Sequence, residues 1–284
     1  MKTLEGSTVV LTGGSQGIGL AVAKKCAVEG ATVVIAARNE SDLTRALKEL
    51  KEISPAPHRS YAVDVSNSER VAEFATWCRA EFGSIHGLLN CAGIYGPIGK
   101  TTAVSMAEFT KAMNVNFLGT VYMCHSFIPL LSARRKKVIN FSGGGAATPF
   151  PNYSAYAASK AAIVRFTENL ALELASDGVD VNCIAPGFVI TRLHQQTLQA
   201  GAEASGKEFL ETTKKQIESG GIPPEKAAEL SVFLLSEASN GITGRFLSAP
   251  WDPWKDEDFL RQLRSDKDLA TLRRIDNKYF IKKP

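Results

Sequence analysis

Residues 7–12, Ser7-Thr8-Val9-Val10-Leu11-Thr12, form a short apolar run of strand-forming residues. The run ends directly in Gly13-Gly14-Ser15-Gln16-Gly17-Ile18-Gly19, which in turn opens the helical pattern Leu20-Ala21-Val22-Ala23-Lys24-Lys25-Cys26. A buried strand, a glycine loop and a helix in immediate succession leave few folds open. Glycines let the backbone turn tightly and approach a ligand with no Cβ in the way, while the unpaired N–H groups of a new helix face an anion. The pyrophosphate of a dinucleotide suits such a site. A nucleoside-triphosphate P-loop would close on Gly-Lys-Ser/Thr, whereas this loop closes on Gly17-Ile18-Gly19. The plain alternative is a tight connection that holds no ligand.

Apolar strand patterns recur near residues 7–12, 32–36, 59–63, 86–90, 137–142, 179–184 and 245–248, with helical periodicity between them. This alternation predicts an α/β fold, a doubly wound parallel sheet of about seven strands in a single domain. A chain of 284 residues with 44% hydrophobic content can bury the core such a sheet needs. Ligand is expected at the carboxyl ends of the strands, where the strand order reverses.

Tyr153-Ser154-Ala155-Tyr156-Ala157-Ala158-Ser159-Lys160 begins a long helical pattern. One turn of helix sets Tyr156 and Lys160 on a common face. A nearby ammonium favours phenolate and lowers the pKa of the phenol, which equips Tyr156 for proton exchange with an alcohol or a carbonyl. An ordinary solvated helix produces the same spacing, so the pair carries weight only together with the glycine loop.

The two segments together resemble the short-chain dehydrogenase/reductase family, in its compact single-domain branch with a TGxxxGxG loop and a YxxxK pair, over residues 4 to about 248. That resemblance implies a Rossmann-like fold binding a nicotinamide dinucleotide through Gly13, Ser15, Gln16, Gly17, Ile18 and Gly19. Asn90-Cys91-Ala92-Gly93 is similar to the family's NAG turn, which implies cofactor contacts from Asn90, Ala92 and Gly93. Asp64 and Val65 match the adenine contact, and Asn116 matches the asparagine of a water-linked proton path to the lysine. Pro186, Gly187, Val189 and Thr191 match the loop that grips the nicotinamide end. The implied reaction interconverts a carbonyl and a secondary alcohol by hydride transfer, with Tyr156 as acid/base and Lys160 lowering its pKa and binding the nicotinamide ribose.

At the end of the second strand a carboxylate would favour NAD(H), but this chain has Ala37-Arg38-Asn39. A guanidinium at Arg38 suits an added phosphate, with Ser15 and Asn39 adding hydrogen bonds, so NADP(H) is expected over NAD(H). The alternative is that Arg38 only stacks on the adenine.

One family feature is displaced. The resemblance places a catalytic serine about thirteen residues before the tyrosine, and in this chain that position is Gly143, with Ser142 one residue earlier. Neighbouring side chains on a strand face opposite ways, so Ser142 can serve only if Gly143-Gly144-Gly145 bends the backbone. Other readings give the substrate oxygen to Asn152, Tyr153 or a backbone N–H, or leave a chain that binds NADP(H) without catalysis. A nucleotide-sugar epimerase or dehydratase shares the tyrosine and lysine, but carries a TGxxGxxG loop and a larger carboxyl-terminal domain.

The remaining classes are disfavoured. A net charge of +4 is no nucleic-acid footprint, and the basic run Arg134-Arg135-Lys136-Lys137 is read as a solvated turn. The sequence shows no secretory signal pattern and no apolar stretch of membrane length. Cys26, Cys78, Cys91, Cys124 and Cys183 lack paired spacing and read as small core residues of a reduced compartment, so a cytoplasmic protein is expected. His58, His86, His125 and His194 are scattered, and no metal is expected.

Within a domain over residues 1–248, residues 192–223 read as a helical substrate lid and the loop at Tyr95-Gly96-Pro97-Ile98 as a second specificity element. Phe150, Tyr153, Phe188 and Leu193 are candidates for an apolar wall around a small carbonyl or alcohol substrate. Residues 249–284 depart from the family's ending: Ala249-Pro250-Trp251-Asp252-Pro253-Trp254 precedes a charged segment. There Phe259, Leu260, Leu263, Leu269, Leu272 and Ile275 follow helical spacing. The extension is expected to pack on its own domain or on a neighbouring subunit of a homodimer or homotetramer. The alternative is a cap at the active site through Trp251 or Trp254.

Overall fold

The computed structural model describes residues 2–132 and 136–274. The seven apolar runs form parallel strands β1 (Thr8–Thr12), β2 (Thr32–Ala37), β3 (Arg59–Ala62), β4 (Gly87–Asn90), β5 (Lys136–Phe141), β6 (Val179–Ala185) and β7 (Phe246–Ser248), each within one residue of the expected bounds. They align in one sheet in the order β3-β2-β1-β4-β5-β6-β7. β1 and β4 through β6 are buried along almost their whole length, because helices cover both faces of a parallel sheet.

The helices are α1 (Gly17–Val28), α2 (Glu40–Ile53), α3 (Ser68–Phe82), α4 (Met106–Met113), α5 (Gly119–Phe127), α6 (Ser154–Glu173), α7 (Arg192–Ser205), α8 (Lys207–Glu218), α9 (Pro224–Leu235) and α10 (Glu257–Ser265). Residues of α1, α2, α9 and α10 close one face around Leu11, Ile35 and Leu89. Residues of α3 and α5, with the end of α6, close the other around Val10, Leu88 and Val138. Register brings Thr12 beside Asn90, Asn90 beside Asn140 and Asn140 beside Cys183, so the carboxyl ends of four strands form one row. Since β2 lies on one side of β1 and β4 on the other, the loops leaving β1 and β4 part at that point and open a cleft. No helix among the described residues is long and apolar enough to cross a membrane.

Two expectations need correction. The basic run is no solvated turn at its second half, where Lys136 and Lys137 are the first residues of β5. Lys137 is 3% exposed and donates to Asp180 Oδ2 and Ser239 Oγ, each at 2.9 Å. β5 is a central strand, and register sets Lys137 against Asp180 on β6, so the ammonium is buried with a partner. Arg134 and Arg135 lie outside the described residues.

The apolar stripe of the extension is likewise not one helix. α10 ends at Ser265, where the Asp266 carboxylate accepts the Asp268 N–H at 2.8 Å, and this local bond competes with the next helical turn. Leu269 and Leu272 therefore lie beyond the helix, and Ile275 is outside the described residues.

Residues 249–274, the described part of the extension, contact the rest of the chain. Leu260, Leu263 and Trp254 join the core beside α9, with the Trp254 ring 5.7 Å from Phe233. The chain then passes the sheet edge, where the Phe246 N–H donates to Ala270 O at 2.7 Å. It reaches α6 on the opposite face, where buried Glu168 accepts from Leu272 N (2.6 Å) and Arg273 (2.9 Å). Trp254 is thus a packing residue, whereas Trp251 is 71% exposed.

Candidate active site

The glycine loop is built as the sequence implies. A Cβ at Gly19 would stand 2.2 Å from Gly13 O, and one at Gly13 would stand 2.9 Å from Ala92 N, so these positions admit only glycine. Thr12 Oγ1 accepts the N–H groups of Cys91 and Ala92 at 3.1 and 3.2 Å, tying the β1 loop to the turn after β4. Thr12 is the threonine that opens the TGxxxGxG loop, and the spacing alone did not assign it this tie. Side chains of Asn39, Asn67, Ser105 and Asp256 cap α2, α3, α4 and α10, but no side chain caps α1 and its first turn holds no acidic residue. Its N–H groups are left for an anion, as a pyrophosphate requires.

Beside the loop lies a cleft of about 820 Å³, lined by Arg38, Ala62, Val63, Asp64, Ser66, Asn67, Ser68, Glu69 and Arg70. Arg38 is exposed at the end of β2 and available to a ligand. Asn39 instead uses its side-chain oxygen as the α2 cap, accepting from Asp42 N at 2.8 Å and from Ser41 Oγ at 2.7 Å. Asp64 accepts from Ser66 N and Oγ at 3.0 and 2.7 Å, which rigidifies the turn carrying Val65. Arg70, carried by no motif, faces the same cleft while paired with Glu73. These residues fit the adenosine end of a dinucleotide.

Asn90 is buried between strands: Nδ2 donates to Asn140 Oδ1 at 2.9 Å and Oδ1 has no partner. Asn116 sits in a single π-helical turn, Asn114–Leu118. Its Oδ1 accepts Ile94 N at 2.8 Å, while Nδ2 donates to Ile94 O and Ser159 Oγ, both at 2.9 Å. A Cβ at Gly93 would meet Asn116 Oδ1 at 3.3 Å and Lys160 Nζ at 3.4 Å. Glycine at 93 thus leaves room for Asn116 and the buried lysine.

Gly187 has φ +80 and a Cβ there would lie 2.9 Å from the Pro250 ring, so this loop needs glycine as well. Val189 beneath it is buried. The chain then returns over the glycine loop, where the Thr191 methyl is 3.4 Å from where a Gly17 Cβ would be. Arg192, next in sequence, pairs with Asp42 of α2 at 3.2 Å.

Helix α6 puts Tyr156 and Lys160 together, with Lys160 Nζ 5.6 Å from the Tyr156 ring centre and donating to Phe141 O at 2.8 Å. Burial is the largest influence on the phenol in this environment. Burial pushes the Tyr156 phenol up to about 12, and burial also draws the Lys160 ammonium below its ordinary value. Both neutral forms are favoured when water is excluded. The phenol is therefore protonated at neutral pH and ready to donate.

Gly143 and Ser142 divide as strand parity requires. Ser142 is buried and its hydroxyl donates to Lys160 O at 2.9 Å, so the glycine run does not re-aim it toward Tyr156. A Cβ at Gly143 would lie 2.8 Å from the Tyr156 hydroxyl, so the phenol fills the volume a side chain at 143 would take. Tyr153, an alternative donor to the substrate, commits its hydroxyl to Thr197 Oγ1 at 2.8 Å. Asn152 is held at φ +67, with its carbonyl accepting from Gly99 N.

The wall around Tyr156 is aromatic. Tyr95 meets it edge-on at 4.9 Å and Phe150 at 6.3 Å, while Phe150 stacks on Tyr153 at 4.4 Å. Phe209 of α8 packs on Phe150 and Tyr153 at 4.8 and 5.1 Å. Phe188 stacks on His194 of α7 at 4.0 Å, whereas Leu193 is only partly buried at the start of that helix. His194 Nδ1 accepts from Thr191 N at 3.3 Å, which puts the ring proton on Nε2. Burial drops its pKa to about 4, so the ring is neutral at neutral pH. Tyr95 and Tyr153 were candidates from the sequence, whereas Thr197 and His194 of α7 and Phe209 of α8 follow no motif, so spacing alone did not single out their convergence with them.

A family model described as short chain dehydrogenase matches residues 7–201, more than half of the chain. A 3-oxoacyl-[acyl-carrier-protein] reductase of Chlamydia trachomatis is 33% identical over 253 residues, covering 86% of this chain and 96% of the relative. A 3beta-hydroxysteroid dehydrogenase of Eggerthella lenta is 33% identical over 249 residues, covering 86% and 92%. Among solved structures, an NAD+-bound xylitol dehydrogenase superposes with a TM-score of 0.78 at 25% identity, covering 87% of this chain and 98% of that one.

Proposed function

This chain belongs to the short-chain dehydrogenase/reductase family of oxidoreductases, and from that premise we propose that it reduces an apolar carbonyl compound to a secondary alcohol, and the reverse, with NADP(H). The observation that carries the reading is a protonated phenol, Tyr156, one helical turn from the buried amine of Lys160, in an aromatic chamber at the head of the sheet. Relatives named as a 3-oxoacyl reductase and a hydroxysteroid dehydrogenase act on carbonyl or alcohol carbons, which supports the class.

The cofactor would lie along the cleft. Its pyrophosphate would meet Gly13, Ser15, Gln16, Gly17, Ile18 and Gly19, its adenosine end Arg38, Asn39, Asp64 and Val65, and its nicotinamide end Asn90, Ala92, Gly93, Pro186, Gly187, Val189 and Thr191. When bound, it supplies or accepts the hydride. Tyr156 gives its phenolic proton to the oxygen of the carbonyl being reduced, and takes it back in oxidation. Lys160 holds its amine beside the ring, steadied by Phe141 O, and Asn116 fixes the Ile94 backbone and Ser159 behind it. The Phe150, Tyr153 and Phe209 cluster selects an apolar substrate and keeps water from the phenol.

Arg38 supports NADP(H), because no carboxylate stands at the end of β2 to repel a phosphate. Fluorescence titration of NADPH and NADH against wild type and Arg38→Ala tests this. NADPH binding is expected to weaken about tenfold to a hundredfold and NADH binding to stay level, as for one lost charged hydrogen bond. Equal losses refute the phosphate role. A panel of aromatic and aliphatic ketones followed by NADPH absorbance tests the activity, and no turnover by wild type refutes it.

A further inference from the structure

The lid contributes a buried hydroxyl to the catalytic wall. Thr197 lies in α7 and is fully buried, and its Oγ1 accepts the Tyr153 hydroxyl at 2.8 Å. Tyr153, held by that bond, packs edge-on against Tyr95. Tyr153 immediately precedes the first turn of α6, and Tyr95 is in the loop after β4. Tyr95 presses edge-on against Tyr156 at 4.9 Å and against Tyr153 at 5.2 Å. One lid hydroxyl thus holds Tyr153, and Tyr153 packs on Tyr95, which abuts the ring that carries the chemistry.

The segment that bears Thr197 is punctuated by glycines of positive φ. It is bounded by Gly187 at φ +80 and by Gly220 and Gly221 at φ +85 and +63, and it is interrupted at Gly201, whose φ of +70 breaks α7. Such residues absorb large backbone changes at little steric cost. Opening the lid exposes Phe209 and breaks the Tyr153 bond to Thr197. Water replaces that bond on opening, so it favours the closed lid by the modest net value of one hydrogen bond that only the closed geometry can make.

We propose that Thr197 is a positioning residue, whose buried hydroxyl latches the α7–α8 lid onto the head of α6 and fixes the Tyr156 ring through Tyr95. The proposal rests on the reading of Tyr156 as proton donor, but it is tested without turnover.

The full-length protein, free of cofactor, is compared as wild type, Thr197→Val and Thr197→Ser. Valine keeps the shape and removes the hydroxyl, and serine restores it. Hydrogen exchange of residues 192–218 is expected to run about tenfold faster in the valine variant and to return toward wild type in the serine variant, the size of effect one buried hydrogen bond supports. Exchange in β4, β5 and the end of α6 stays unchanged and serves as the check on global folding. Ring flipping of Tyr156, followed by aromatic 13C NMR and assigned with Tyr156→Phe, is expected to accelerate in the valine variant alone. Unchanged lid exchange in Thr197→Val overturns the latch. Faster lid exchange with an undisturbed Tyr156 ring overturns the positioning role. Failure of wild type to reduce any carbonyl overturns the functional reading and leaves both measurements standing as tests of the latch.

Discussion

The contact between Gly143 and Tyr156 yields the sharpest prediction. Gly143 has φ −175 and ψ 173, extended backbone that any residue adopts, so replacing it creates no backbone strain. The consequence is steric. An alanine Cβ would stand 2.8 Å from the Tyr156 hydroxyl, 0.6 Å short of the 3.4 Å at which ordinary contact begins. The phenol must retreat by about that distance, and Tyr95 and Phe150 on its other sides limit where it can go. Since a misplacement of about 1 Å costs roughly a hundredfold in rate, Gly143→Ala is expected to lose on the order of tenfold in kcat. Thermal stability should change little, because the retreat is at the pocket surface. The assay is initial-rate carbonyl reduction with NADPH, beside a melting curve. An alanine variant as active as wild type refutes the reasoning. Gly143→Ser carries the same Cβ with an added hydroxyl, so a serine variant faster than wild type would show that Tyr156 does not occupy that volume during turnover.

Ser142→Ala removes the bond to Lys160 O and is expected to cost about 1 kcal/mol of stability with less than tenfold loss in turnover. A hundredfold loss in turnover at unchanged stability would place Ser142 on the substrate after all. His194 has a folded pKa of about 4, below its ordinary 6.5, so the unfolded chain binds its proton first on acidification. Its contribution to stability is complete above pH 6.5 and declines as pH falls toward 4, by up to roughly 3 kcal/mol. His58 and His86 are displaced in the same direction, so denaturation curves of wild type against His194→Gln isolate the effect, and parallel pH profiles refute it. Glu168→Ala removes the acceptor of Leu272 N and Arg273, and trypsin is expected to cut near Lys267 several-fold faster, with equal rates refuting the attachment.

Much of the fold was legible because its signals are local. Most strands are short apolar runs ended by turn residues, although β3 is Arg59-Ser60-Tyr61-Ala62, and the glycine loop needs only its own backbone to define it. The helix carrying Tyr156 and Lys160 follows from four-residue spacing, and the separation of Ser142 from Gly143 follows from strand parity. Lys137 was misread because a run of four cations suggests water, while its buried partner Asp180 is distant in sequence. The extension was misread as one helix because apolar spacing does not register the Asx turn at Asp266 that stops it.

The amino-acid sequence on its own set out the groups at the site: a glycine turn, a phenol and an amine on one helical face, and a guanidinium in place of a carboxylate after the second strand. Each depends on neighbours along the chain. Only the tertiary structure decided that burial raises the Tyr156 phenol, that the Tyr156 hydroxyl fills the volume left by Gly143, and that Thr197 joins Tyr153. Desolvation and steric contact depend on what packs around a group, and at this site those groups come from segments far apart in the chain.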